Sequence, residues 1–292
     1  MSKERQPKQY DAVLGGNNSP PIDGFVLGGI EGIRYRLNSD LVTVRINAVR
    51  NALQYGQVGK DLLLEIIKIR SSDILWESFN LLWKLFDDNQ RQQLIKYFPK
   101  LIKDNVHEWN IWRNSNPNLQ IDLSKAYFYH TNLSNVNLSN INLNGANFIQ
   151  ANLTGANMSN VELTYADLSE ASLNNVNFGS SNLSFSTLKD SQAKRAYFGN
   201  TNLSNVDLTN ADLFCANFYN AQLINTDFSW TNLNVADFSH AQIVDVYLYN
   251  ANLDRPRHFS GHDLLVKNAK GIIEPLDELR AFYYERYESS WE

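Results

Sequence analysis

The chain has 292 residues, 43% of them hydrophobic, enough to bury one large core or two smaller ones. Its net charge of −5 and pI near 5.6 exclude a chain-wide basic field of the kind that holds a nucleic-acid backbone. The single cysteine, Cys215, excludes an intrachain disulfide and a cysteine-rich metal cluster, and no apolar run reaches the ~18 residues of a membrane span, so a cytoplasmic protein is expected.

Residues 1–40 read as a largely irregular leader. Met1 to Pro20 is polar, without the apolar stretch of a signal peptide. The paired glycines Gly15-Gly16 and Gly28-Gly29 are followed by no Lys-Ser or Lys-Thr and preceded by no strand, so they read as turn glycines and not as a phosphate loop. The segments Asp11 to Gly16 and Val26 to Gly32 resemble a leader of cyanobacterial proteins that carry HEAT-like helical repeats or other repeat modules, which implies a cyanobacterial source. Residues 41–115 are then expected to form a helical, HEAT-like domain. Apolar residues recur at helical spacing (Val42, Ile46, Val49, Leu53; Leu62, Leu63, Ile66, Ile67; Leu75, Phe79, Leu82, Trp83, Phe86; Leu94, Ile95, Phe98, Leu101, Ile102), which predicts four helices in two hairpins over 41–103. Gly56 marks the end of the first, and Ser71, Ser72 and Asp73 are N-cap candidates for the third.

From Ile121 to Arg255 the sequence keeps a five-residue frame for 27 units without insertion or deletion. The middle residue of each unit is Leu in 17 units and Phe in seven, and the residue two places earlier is small or β-branched. A period of five suits neither regular structure. On a continuous helix successive centres would scatter ~140° apart, and on a continuous strand every second centre would face the wrong side. The pattern is satisfied if each unit is one side of a coil: apolar in, polar out, apolar in, then a two-residue corner rich in Ser, Thr, Asn and Gly. All seven Phe centres, Phe128, Phe148, Phe178, Phe198, Phe218, Phe228 and Phe238, fall on alternate units, as two opposite walls of a four-sided coil would place them.

Units such as Ala151-Asn152-Leu153-Thr154-Gly155 and Ala211-Asp212-Leu213-Phe214-Cys215 resemble the pentapeptide-repeat family. The resemblance implies a right-handed quadrilateral parallel β-helix. Twenty-seven units then make about seven coils, a rod about 32 Å long at ~4.8 Å per coil. The expected fold is thus an α+β multidomain chain: the leader 1–40, the helical domain 41–115, the β-helix 121–255, and a C-terminal segment 256–292. In that last segment Pro275 to Tyr287 reads as a helix that lids the last coil or forms a homodimer contact. The N- and C-terminal segments are the candidates to cover the open ends of the rod.

No catalytic constellation emerges among the five histidines. His258 and His262 are four apart but lack a third ligand, so no metal and no cofactor is expected. Residues 1–120 carry 16 basic and 13 acidic residues, the repeat 5 and 11, and the tail 5 and 7. The repeat is irregular from Phe185 to Arg195, where Ala193 replaces a large centre and Lys189, Lys194 and Arg195 cluster in sequence. Tyr165 and Phe185 occupy one outward column a coil apart. These five residues, Tyr165, Phe185, Lys189, Lys194 and Arg195, are the candidate partner-binding surface, because exposed aromatics beside cations make binding hot spots. The expected function is a non-enzymatic protein-interaction scaffold or regulatory protein, its partner an unidentified protein, with no nucleic acid and no membrane. The alternative, implied by the family resemblance and the acidic rod, is a DNA-mimicking modulator of the topoisomerase gyrase.

Overall fold

A computed structural model describes residues 28–69 and 73–253, and the backbone of Leu265–Lys267. It divides into two compact units, one through Tyr97 and one from Phe98 onward. The C-terminal helix expected over Pro275 to Tyr287, the His258/His262 pair, Ser71, Ser72, Gly15 and Gly16 lie outside the described residues.

The first unit contains α1 (Gly29–Arg36), α2 (Val42–Ala52), a 3-10 turn (Leu53–Tyr55), α3 (Gly56–Ile69), α4 (Asp73–Leu85) and α5 (Asp88–Ile95). The helix α1 stands where an irregular leader is expected: it buries Ile33 and, just beyond it, Leu37, after a start at Gly29, whose φ of 66° suits glycine. Gly56 breaks α2 from α3 as expected, at φ 57°. The helix predicted over Leu94 to Ile102 is instead two: Pro99 has no N–H for the Ile95 carbonyl and its ring crowds that carbonyl, so α5 ends at Ile95 and a new helix starts with Pro99 in its first turn. α4 packs on α2 and α3 through Ile74, Leu75, Phe79 and Leu82, all fully buried. Arg45 holds Asp73 (2.8 Å) and Arg50 holds Glu77 (2.7 Å), tying α2 to α4, and Arg34 holds Glu65 (3.1 Å). A capping box, Asp87 with Gln90, starts α5.

At Gly59 a Cβ would lie 1.8 Å from the carbonyl oxygen of Ala52, so α3 passes directly against the end of α2. Gly→Ala within a helix ordinarily gains about 1 kcal/mol. Gly59→Ala is expected to do the reverse and to cost about 1–3 kcal/mol in chemical denaturation, since the obstructing atom is backbone.

The second unit begins with α6 (Phe98–Asp104) and α7 (Val106–Ser115), which share a cluster of Phe98, Trp109 and Trp112 with ring centroids 4.8–5.4 Å apart. Then the repeat begins. Bridges pair each polar side residue with the one twenty positions on, in parallel, from Tyr127↔Asn147 to Asn232↔Asn252. Where strands are long enough to name, β1 (Ile121–Asp122) pairs with β2 (Ile141–Asn142), and β3 (Gln222–Ile224) pairs with β4 (Gln242–Val244), in the same register. β4 also pairs with β5 (Leu265–Lys267), but there the offset is 23. Four five-residue sides therefore complete each coil.

One unit shows why the residue types recur. In Asn152-Leu153-Thr154-Gly155-Ala156, Leu153 and Ala156 are buried. Asn152 Oδ1 accepts from the Thr154 N–H (3.1 Å), fixing the corner by an Asx turn. The Ala156 N–H donates back to the Leu153 carbonyl (2.8 Å), closing a β-turn. The Leu153 N–H donates onward to the next coil at Ser172 (2.8 Å), while the Asn152 N–H donates to the preceding coil at Thr131 (2.9 Å). The second corner residue has positive φ in every unit from Lys125 to Asn250. Asn, Asp and Gly tolerate that region, which explains the corner composition. Val235 does not: a β-branched side chain at φ 61° is an outlier. Val235→Asn is expected to raise stability by about 1 kcal/mol, read as a higher denaturation midpoint.

Inside, Phe178, Phe198, Phe218 and Phe238 stack as one ladder, with centroids 5.2, 5.1 and 4.9 Å apart and rings within 10° of parallel. Phe128 and Phe148 stack on the opposite wall at 5.0 Å. The irregular coil keeps its backbone bonds: Gln192 pairs with both Ser172 and Asp212, and Ala193 is buried.

The first coil is covered by α7. Trp109 Nε1 donates to the Asn137 carbonyl (2.8 Å), Asn110 Oδ1 accepts from the Asn137 N–H (2.8 Å), Asn110 Nδ2 donates to the Asn135 carbonyl (2.9 Å), and Arg113 Nη2 donates to the Ser139 carbonyl (2.8 Å). Helix side chains thus supply on this wall what the strand of a preceding coil supplies elsewhere.

Candidate functional site

The rod has four walls, named by their inward centres: the first from Leu123, the second from Phe128, the third from Leu133 and the fourth from Leu138, each recurring at twenty-residue intervals. Tyr165 and Phe185 sit at the corner between the first and second walls. They are 69% and 51% exposed, and their rings stack at 5.2 Å and 15°. The expected outward column is present.

The cations are elsewhere. Lys189 lies at the corner between the second and third walls, and Lys194 and Arg195 lie at the corner between the third and fourth. Ten residues make half a coil, so Phe185 and Arg195 occupy diagonally opposite corners. Adjacency in sequence does not become a patch here, and the five residues divide among three corners. Lys194 is engaged by Asp212 (3.1 Å).

The structure gathers a different set. The outward column of the second wall runs Tyr127, Asn147, Asp167, Thr187, Asp207, Asp227, Tyr247, each bridged to the next. Its trailing corner adds Tyr129, Glu170, Asp190, Trp230 and Tyr249. Of the nine exposed aromatic residues between Ile121 and Leu253, seven lie on this wall or its two bounding corners; only Tyr197 and Tyr219 do not. Trp230 packs edge-on to Tyr249 at 5.6 Å. Asp167, Asp207 and Asp227 each turn Oδ1 inward to the backbone N–H two residues on (2.8–3.0 Å). None of the three has an ion pair among the described residues. At the N-terminal end Lys103 Nζ lies 5.5 Å over the Tyr127 ring, and burial lowers its pKa. The acid column and the aromatics at both ends are visible in the sequence only when it is written out in rows of twenty.

No group of three or more His, Cys, Asp or Glu that would hold a metal occurs among the described residues, and no helix there is long and apolar enough to cross a membrane. Cys215 is a free thiol at the corner between the third and fourth walls.

Residues 121–160, 162–197, 194–229 and 216–255 match the profile of the family described as Pentapeptide repeats, in eight copies. Among solved structures, HetL of the cyanobacterium Nostoc sp., a pentapeptide repeat protein involved in heterocyst differentiation regulation, is 23% identical over 53% of this chain and 83% of its own, with a TM-score of 0.33. QnrB1, a plasmid-mediated fluoroquinolone resistance protein, is 17% identical over 58% of this chain and 88% of its own, with a TM-score of 0.40. A pentapeptide repeat protein from the Arabidopsis thaliana thylakoid lumen is 33% identical over 41% of this chain and 66% of its own, with a TM-score of 0.25. No curated protein matches the chain. With its unbroken five-residue frame, its twenty-residue coil and its profile match, the segment 121–255 is an array of pentapeptide repeats, which wind as a right-handed quadrilateral β-helix.

Proposed function

We propose that this protein is a non-enzymatic protein-interaction scaffold and that the second wall of its β-helix, with the Tyr165–Phe185 corner, is the contact surface. One observation carries the reading: seven of nine exposed aromatics of the repeat converge on that wall and its bounding corners. Three of them, Tyr165, Phe185 and Trp230, stand at φ 59°, 61° and 63°, where a large L side chain is strained. Aromatic residues on a surface are the usual anchors of protein contacts. The neutral Asn, Ser and Thr that fill most other outward positions serve the corner turns.

The test is affinity capture from native lysate with the full chain, comparing wild type with Tyr165→Ser/Phe185→Ser/Trp230→Ser. The same identified proteins are expected to bind wild type and to be lost from the variant. Unchanged recovery of every one sinks the reading.

A second reading, modulation of gyrase by mimicry of DNA, draws on the carboxylate column Asp167, Asp207 and Asp227. A supercoiling assay with and without a quinolone distinguishes them; no effect of the protein on gyrase leaves the scaffold reading ahead. The cytoplasm is the compartment we propose for either.

A further inference from the structure

We infer that the second wall takes an extended, arginine-rich polypeptide segment of its partner, laid along the axis of the rod. This rests on the scaffold reading and adds the chemistry of the partner. Four observations point to it.

The first is charge. Asp167, Asp207 and Asp227 form a single outward column, Glu170 and Asp190 follow on the trailing corner and Asp245 lies on the leading corner, against two lysines, Lys189 and Lys125. Six of the repeat's eleven acids therefore lie on this wall or its bounding corners.

The second is that these charges are kept at a cost. Asp207 and Asp227 are bridged neighbours in the ladder, so two like charges sit one coil, about 4.8 Å, apart. An amide would serve the fold as well: Asn147 in the same column makes the same bond, its Oδ1 accepting from the Ile149 N–H at 3.1 Å. The turn explains one oxygen of each carboxylate and leaves the negative charge without a structural role.

The third is that the column ends in aromatic residues, Tyr127 at one end and Tyr247 at the other, with Trp230 on the trailing corner near the second. The chain's own Lys103 already stands over the Tyr127 ring, so this wall accepts a cation on an aromatic face. Guanidinium pairs with carboxylates and stacks on aromatic rings, which makes arginine the side chain best matched to an alternation of the two.

The fourth is length. From Tyr127 to Tyr247 is six coil steps, about 29 Å, a span that about nine extended residues cover. The wall repeats one residue step per coil along its length, a surface that fits an extended chain. A nucleic acid is excluded by the sign of the charge.

The experiment titrates a fluorescein-labelled nona-arginine peptide with the full chain at ~0.15 M salt, and compares two carboxylate-pair variants of equal charge change with a charge-neutral aromatic variant. Asp207→Asn/Asp227→Asn, on the second wall, is expected to weaken binding at least tenfold. Trp230→Ser/Tyr165→Ser/Phe185→Ser is expected to weaken it at least threefold. Asp122→Asn/Glu162→Gln, on the first wall, is expected to change it less than twofold. The denaturation midpoint of Asp207→Asn/Asp227→Asn is expected to stay level or rise, which separates a lost site from a lost fold. Equal weakening by both carboxylate pairs would show attraction to net charge alone and would overturn the inference, as would no binding to wild type. Either result leaves the scaffold reading standing on its own capture test, whose failure is a separate outcome.

Discussion

Phe198→Ala is expected to destabilise the β-helix by about 3–5 kcal/mol in chemical denaturation. Phe198 is fully buried, with Phe178 stacked 5.2 Å below it and Phe218 stacked 5.1 Å above it. Truncation removes the apolar area of the ring and leaves a cavity that cannot collapse. The backbone on either side is held at the ladder spacing by bonds such as Phe178 N–H to Tyr197 and Phe198 N–H to Asn217 (2.8 and 2.7 Å). A coil also touches only the coils before and after it, so a defect in the middle weakens two interfaces at once. Phe198→Leu is the control. Leucine fills the same inward position in most units, and its cost is expected to stay near 1 kcal/mol. If alanine and leucine proved equally tolerated, the stacked ladder would not be the source of the rod's stability.

The repeat was legible because its signal is periodic. Leu at every fifth residue with a small residue two places earlier admits only a coil of short sides, and alternate Phe centres identify two walls. The corner chemistry was legible too, since Asn, Gly and Ser where the chain must turn are the residues that tolerate positive φ. What did not follow from a linear reading was anything that depends on which corner a residue reaches. Phe185 and Arg195 look adjacent and face opposite ways, while Asp167 and Asp227 look remote and share a column. The start of the second unit was hidden for another reason. Residues 41–115 read as one helical domain because apolar spacing runs through them, yet α6 and α7 pack with the repeat. The residues that join α7 to the first coil, Trp109, Asn110 and Arg113, act through polar atoms on backbone groups. Hydrogen bonds of that kind leave no period in a sequence.

Arg113→Met is expected to cost about 3 kcal/mol or more, and Arg113→Lys most of the same amount. Arg113 is 1% exposed, and its guanidinium donates to three carbonyls: Asn116 (2.7 Å) and Leu119 (3.2 Å) through Nη1, and Ser139 (2.8 Å) through Nη2. Two of those oxygens belong to the turn that leads from α7 into the repeat, and the third is an edge group of the first coil. One side chain therefore holds the cap to the rod. Burial lowers its pKa, yet arginine keeps its charge at any pH where the protein is folded. Methionine fills the volume and leaves the three acceptors without that donor, each bond to a charged group contributing about 1.5–3 kcal/mol. Lysine retains the charge as a single point and cannot reach carbonyls that lie in different directions. Hydrogen exchange separates loss of the cap from general loosening. In Arg113→Met the Asn137 amide, whose acceptor is Asn110 on the same helix, is expected to exchange faster, while the Phe198 amide in the middle of the rod changes little. An uncovered first coil is also an open strand edge, so self-association that rises with concentration is expected in the variant and not in wild type. A lysine variant as stable as wild type would refute the three-carbonyl account.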